Sequence, residues 1–196
     1  MRFILFSRAG AAGEHRVGAL VGDASVADVS SAAASVLGGK VLTSMREFLA
    51  LGAVGESAAR AAIADAAFHV PVSSVKMLAP IVDPGKVLCV GMNYKDHCEE
   101  QGLPVPVLPV IFSKFATSIC ADGDVIVKSP ETSELDFEVE LVIVVGAHAA
   151  GRPGKHIKLE EAYDFVAGAC YSGTFLFARI ELNANIGTWK LMGILC

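Results

Sequence analysis

The sequence lacks several features that mark broad classes of protein. Hydrophobic residues make up 53% of its 196 residues, yet no apolar run approaches the roughly 18 to 20 residues of a membrane-spanning helix. The N-terminal segment has too short an apolar stretch for a signal peptide, and no small-residue cleavage site follows it. The net charge is −5, and no block of Lys and Arg forms a nucleic-acid surface. We therefore expect neither a membrane nor a nucleic acid as a partner.

Cysteine motifs are missing too. The five cysteines are widely spaced, odd in number and without a C-x-x-C pair, so neither a disulfide framework nor a zinc site is expected. This usage is typical of reduced thiols in an intracellular compartment, mitochondrial or cytoplasmic, although no targeting segment is clear. Cys98, next to His97, leaves open the alternative of a cysteine-based redox protein.

Two common catalytic signatures are absent as well. Residues 146–151 have the glycine spacing of a phosphate loop, but Arg152 and Pro153 follow, where that loop needs Lys and Ser or Thr. No nucleophile-elbow pattern for Ser-His-Asp chemistry occurs. The function must therefore be sought in other residues.

The N-terminal part of the chain reads as a small α/β module. Short apolar strands at residues 2–7 and 16–21 predict a hairpin. Residues 43–67 read as helical, with Thr43 or Ser44 as the cap and a split at Gly52 and Gly55. We expect this domain to span residues 1–70, and a proline-punctuated linker to span residues 71–85.

The second part, residues 86–168, is predicted to be β-rich, so the chain belongs to the α+β class. A short helix from Lys95 to Gly102 follows the first of its strands. The predicted strands cover residues 86–91, 110–112, 125–127 and 135–145, and residues 160–165 read as one or two helical turns.

A row of carboxylates is the clearest chemical signal. Side chains alternate faces along a strand, so Glu134, Asp136, Glu138 and Glu140 share one face. Past Glu140 the strand is apolar on both faces and is expected to enter a core. Crowded acids at a core edge repel each other, and a bound cation removes that repulsion. Oxygen ligands favour Mg²⁺, Mn²⁺ or Ca²⁺. The alternative is a half-buried strand with a solvated acidic face.

A second group of polar residues lies in the turn and short helix after strand 86–91. His97 and Glu100 are three residues apart on one helix face, where a carboxylate can orient the imidazole of a general base. Lys114 could hold an anionic substrate. The alternatives are an exposed histidine on a capped surface helix and an ordinary surface lysine.

Together these segments resemble the fumarylacetoacetate hydrolase family, in particular its domain-containing-2 branch. The match includes a G-x-N-Y-x-D-H turn and a D-x-E-x-E strand. The N-terminal module resembles the branch's small leading domain more loosely. The matching segments are residues 78–80, 86–97, 109–115, 136–141, 154–157 and 162–168.

The resemblance implies a mixed β-roll, usually dimeric, and an enzyme that hydrolyses acylpyruvates or tautomerises oxaloacetate. It implies that Glu138 and Glu140 bind Mg²⁺ (Mn²⁺ or Ca²⁺ in place of it). It implies that His97 and Glu100 activate water or move the substrate proton. We expect Tyr94 and Lys114 to bind a small 2-oxo acid.

The tail, residues 169–196, departs from the family pattern. The family continues with an acidic motif that supplies a third metal ligand, whereas the only acid of this tail is Glu181. We expect the roll to be incomplete, with an uncovered apolar face, and the activity to be impaired. The alternative function is a non-catalytic module that pairs with a full-length relative.

Overall fold

The computed structural model describes residues 1–11, 13–128, 130, 135–146, 154–177 and 190–193, with side chains up to Cys170. Among these residues no helix is long and apolar enough to cross a membrane. The described elements form a five-stranded sheet, a two-stranded sheet and a four-stranded sheet.

The N-terminal sheet is antiparallel throughout, and β1 and β2 form its predicted hairpin. The order across the sheet is β4-β3-β2-β1-β5. Its strands are β1 (Phe3–Arg8), β2 (Arg16–Val21), β3 (Ser25–Asp28), β4 (His69–Pro71) and β5 (Val75–Leu78).

Three helices pack on this sheet: α1 (Val29–Val36), α2 (Met45–Ala50) and α3 (Ala53–Ala64). The Ser44 side chain caps α2 by accepting a hydrogen bond from Glu47 N, and Gly52, at φ +52°, separates α2 from α3. The predicted cap and the predicted division into two helices are thus confirmed, whereas β3 and α1 were not predicted.

Both faces of the N-terminal sheet are covered, because alternate residues of β1 enter different cores. Leu5 belongs to the core under the helices, with Ala33 and Phe48. Ile4 and Phe6 belong to a smaller core on the opposite face, with Val26. This module is therefore the well-packed part of the described structure.

The second part begins with a β-hairpin. It consists of β6 (Val87–Gly91) and β7 (Val110–Lys114), with the short helix α4 (Lys95–Glu100) between them. The two strands are antiparallel and pair Val87 with Lys114 and Gly91 with Val110. The predicted strand, helix and strand are confirmed.

The third sheet is mixed, as the resemblance to the family implied. Its order is β8-β11-β10-β9. β9 and β10 are antiparallel, whereas β11 and β8 are parallel. Its strands are β8 (Ile119–Cys120), β9 (Leu135–Val145), β10 (Val166–Phe177) and β11 (Lys190–Gly193).

Three local features differ from what the sequence predicts. Val125 and Val127, placed in a strand by the sequence, lie in an irregular segment instead. The expected linker, residues 71–85, includes β5, which pairs with β1; the domain boundaries stay a prediction. Cys170 is disulfide-bonded, so the expectation of five reduced thiols is wrong at this position, while Cys89, Cys98 and Cys120 are not part of a disulfide.

An ion pair joins the N-terminal sheet to the second part of the chain. Lys76 Nζ, on β5, lies 2.8 Å from Asp124 Oδ1. Asp124 also accepts a hydrogen bond from Ala121 N. These hydrogen bonds hold the pKa of Asp124 below its ordinary value.

Candidate active site

Glu138 and Glu140 lie on the half-buried face of β9. They are two residues apart, which puts their Cα atoms about 7 Å apart on the same side of the strand. Asp136 shares their side of the strand but is exposed, and Glu134 lies outside the described residues. The predicted carboxylate face is therefore present, with its two half-buried members where the strand becomes apolar.

The opposite face of β9 is apolar and exposed. Phe137 is 66% exposed and Val145 is 74% exposed. The expectation that the strand enters a core on both faces beyond Glu140 is thus wrong, since Val142 and Val144 are half-buried but Ile143 and Val145 are not. The apolar residues on this face are Leu135, Phe137, Val139, Leu141, Ile143 and Val145.

The turn between β6 and α4 contacts the carboxylate strand. Asn93 Nδ2 donates a hydrogen bond to Glu140 Oε2 at 3.3 Å. This contact joins the two groups that the sequence singled out separately, because Asn93 is four residues before His97. Asn93 was not predicted as a site residue. Its place just after a strand end, in the quoted turn motif, was the one signal in the sequence.

The backbone of this turn is tightly held. Met92 has φ +52°, a left-handed conformation that residues other than glycine seldom adopt. Its carbonyl oxygen accepts a hydrogen bond from Cys98 Sγ at 3.5 Å. Cys98 is fully buried, so the alternative of an accessible reactive thiol is wrong, and the side chain instead anchors α4 to the turn.

His97 and Glu100 lie on one face of α4, as predicted. His97 Nδ1 is 3.9 Å from Glu100 Oε2, within ion-pair range but too long for a hydrogen bond. The helix starts with Asp96 Oδ1 accepting from His97 N at 3.0 Å. It ends with Leu103 N donating to Cys98 O at 2.9 Å. This arrangement leaves the imidazole partly exposed, with the Glu100 carboxylate within ion-pair distance.

The two proposed substrate-binding side chains lie at opposite ends of the β6–β7 hairpin. Tyr94 is 43% exposed and directly precedes α4. Lys114 pairs with Val87. Val87 is four residues before Gly91, so Lys114 lies about 13 Å along the hairpin from the end that carries Tyr94. The hairpin geometry therefore groups Tyr94 with the Asn93 turn and separates Lys114 from it.

The donor set suits a hard cation. Two carboxylates on one face, with an amide in contact, offer oxygen atoms of the type that Mg²⁺ and Mn²⁺ prefer. No group of three or more His, Cys, Asp and Glu side chains that could hold a metal occurs among the described residues. Two protein carboxylates with the remaining positions filled by water is an arrangement that Mg²⁺ accepts.

Comparisons with known proteins found a family and several relatives that match this chain. The family described as fumarylacetoacetate (FAA) hydrolase C-terminal matches residues 86–172. The human protein named oxaloacetate tautomerase FAHD2A, mitochondrial, is 49% identical over 147 residues, which are 75% of this chain and 45% of that protein. The chain thus spans about half the length of this relative.

Solved structures share the fold. One is named a probable 2-hydroxyhepta-2,4-diene-1,7-dioate isomerase, from Mycobacterium abscessus; it is 26% identical with a TM-score of 0.58, over 90% of this chain and 53% of that one. The fumarylacetoacetate hydrolase of Exiguobacterium antarcticum is 24% identical with a TM-score of 0.62, over 90% of this chain and 56% of that one.

Proposed function

Because residues 86–172 of this chain belong to the fumarylacetoacetate hydrolase family, we propose that its site is of the kind that moves a proton on a short 2-oxo or 1,3-dicarbonyl acid with the help of Mg²⁺. Oxaloacetate keto–enol tautomerisation is the first reaction to test, since a human relative is named for it; acylpyruvate hydrolysis is the second. The observation that carries the proposal is the Asn93–Glu140 hydrogen bond, which brings the His97 turn to the carboxylate strand.

Each residue has a separate role in the proposed reaction. Glu138 and Glu140 hold the cation, and the Tyr94 hydroxyl, beside the Asn93 turn, binds a carboxylate of the substrate. Lys114, at the opposite end of the β6–β7 hairpin, takes no part in this proposed step. When bound, the cation offsets the negative charge that develops on the enolate oxygen.

The proton transfer belongs to α4. The His97 imidazole takes the proton from C3 of the keto acid while the C2=C3 bond forms and the C2=O electrons move to the oxygen. Water then protonates the C2 oxygen to complete the enol, and the imidazolium returns its proton to the solvent. Glu100 orients the imidazole and stabilises its protonated form. We expect the 3.9 Å separation between His97 Nδ1 and Glu100 Oε2 to shorten in the substrate complex, because catalytic hydrogen bonds often tighten only there.

The proposed activity of this 196-residue chain is low. Residues 169–196 carry no counterpart of the third acidic ligand that the family pattern implies, and Mg²⁺ held by two carboxylates binds weakly. Enol formation from oxaloacetate, followed by ultraviolet absorbance with Mg²⁺ and with a chelator, is the test. A metal-dependent rate that His97→Ala abolishes supports the proposal, whereas a rate indifferent to chelator and to His97→Ala overturns it.

The exposed apolar face of β9 favours a second candidate, a non-catalytic module that pairs with a full-length relative. A strand with one exposed apolar face and a place at the end of the described sheet invites association. Co-purification with a full-length relative would support this function. A chain that stays monomeric in the presence of the full-length relative would count against this function.

The compartment is a proposal as well. The human relative is named a mitochondrial protein, and we propose the same location for this chain. Fractionation of cells that express the chain with a C-terminal tag tests it, and a signal confined to the cytosolic fraction would contradict it.

A further inference from the structure

The contact between Asn93 and Glu140 has a defined chemical direction. An ionised carboxylate only accepts hydrogen bonds, so the amide nitrogen of Asn93 must be the atom that faces it. At 3.3 Å, Asn93 Nδ2 donates to Glu140 Oε2. The bond engages Oε2, so Oε1 is the oxygen of Glu140 that the proposed site assigns to the cation.

Asn93 is itself held in place by buried structure. The preceding residue, Met92, has φ +52°, and its carbonyl oxygen accepts from Cys98 Sγ. Cys98 is fully buried, and Cys98 N donates to Tyr94 O at 3.2 Å. The amide of Asn93 therefore projects from a turn whose backbone is locked on both sides.

We infer that Asn93 is a positioning residue that orients the Glu140 carboxylate for cation binding and registers the His97 helix with it. The inference rests on the proposed function, because it assigns the Glu138–Glu140 face to a cation. It adds a residue from a different element, 47 positions away in the chain. Groups that orient metal ligands in this way typically change metal affinity about 10- to 100-fold when removed.

The test is direct measurement of Mn²⁺ affinity by electron paramagnetic resonance, which needs no substrate. We expect Asn93→Ala to raise the Kd for Mn²⁺ about 10-fold or more. Asn93→Leu, which has nearly the same size but neither a donor nor a charge, should also bind Mn²⁺ more weakly than the parent chain. A Kd for Asn93→Leu equal to that of the parent chain would overturn the inference, since the amide donor would then have no effect on the cation site.

Two further variants complete the experiment. Gln101→Ala removes an exposed amide at the end of α4 and should leave the Kd unchanged. Glu140→Gln should abolish binding. If Glu140→Gln abolishes Mn²⁺ binding while Asn93→Ala leaves it intact, the inference about Asn93 is overturned and the proposed cation site is supported. If Asn93→Ala loses its cooperative unfolding transition in the absence of metal, the Kd of Asn93→Leu decides the outcome.

The readout separates this inference from the proposed function. Mn²⁺ binding that depends on Asn93, without turnover of oxaloacetate or acylpyruvate, supports the inference and contradicts the proposed reaction. Absence of any Mn²⁺ binding by the parent chain overturns both.

Discussion

At the scale of single residues, Asp28 combines burial with charge: its side chain is almost fully buried, and its carboxylate is ionised. Its carboxylate accepts hydrogen bonds from Arg16 Nε at 2.9 Å and from Arg8 at 2.9 Å. It also caps α1 by accepting from Ser31 N. Burial alone would raise the pKa of Asp28, but these hydrogen bonds and the charge of Arg16 hold it below the ordinary value of 3.8. The residue thus ties β1, β2 and α1 together.

Asp28→Asn should lower the free energy of unfolding by up to about 3–5 kcal/mol, because the buried Arg16 would lose its buried carboxylate partner and keep only the more exposed Glu14 as an ion-pair partner. Urea unfolding measures this loss. Asp23→Asn is the matched control, since Asp23 is exposed and its Oδ1 lies 3.4 Å from Arg2 Nη2. It should change stability by about 0–1 kcal/mol. Equal effects of the two substitutions would contradict the assignment.

The pH dependence of stability follows from the same residue. A carboxyl whose folded pKa is lowered stabilises the fold above its ordinary pKa and loses that contribution as the pH falls through the folded value. The stability of the parent chain should therefore fall below about pH 4. Asp28→Asn should flatten that fall. An unchanged acid slope in Asp28→Asn would show that other groups control it.

At the scale of elements, Gly18 on β2 leaves room for side chains of the two neighbouring strands to pack together. A Cβ added at Gly18 would lie 2.5 Å from Val26 Cγ1 and 2.9 Å from Phe6 Cε1. Both neighbours belong to the smaller core. The side chain of any other residue would push these groups apart.

Gly18→Ala should destabilise the chain by about 1–3 kcal/mol, the usual cost of overpacking a core. Gly85→Ala is the control, because a Cβ at Gly85 meets nothing within 4 Å. Thermal unfolding of the two variants measures the difference. A Gly18→Ala chain as stable as Gly85→Ala would show that Val26 and Phe6 move aside freely.

The same scale shows what the sequence could and could not predict. The alternation of acids and apolar residues up to Leu141, followed by a β-branched apolar run, predicted the bounds of β9, Leu135–Val145. The alanine-rich segment of α1 carries a weak period, and the small residues of β10 resemble a loop, so both were missed. The Asn93–Glu140 contact joins two elements distant in the chain, and no local pattern contains it.

At the scale of the whole molecule, the two parts of the chain differ in packing. The N-terminal module buries apolar residues on both faces of its sheet, whereas β9 exposes a row of them. Periodicity identified the two faces of β9, but it could not show which face is covered, since that depends on what packs against the strand.

Val139→Lys should reduce self-association or binding of a hydrophobic dye, because Val139 is 62% exposed in the middle of this face and a charge there disfavours apolar contact. Val107→Lys is the control, since Val107 is 98% exposed in a loop. Sedimentation velocity of both variants checks the prediction. If both variants behave as the parent chain does, the β9 face takes no part in association.

The measurement that tests the central claim most directly is thermal unfolding of the purified chain with and without millimolar Mg²⁺ or Mn²⁺, repeated on Glu140→Gln. A ligand at ten times its Kd stabilises the native state by about 1.4 kcal/mol, which corresponds to a rise in Tm of roughly 3–6 °C for a chain of this size. We predict a cooperative melt that rises with the cation in the parent chain and stays fixed in Glu140→Gln. A melt indifferent to the cation, or an equal rise in both proteins, would contradict the assignment of a cation site to the carboxylate face of β9.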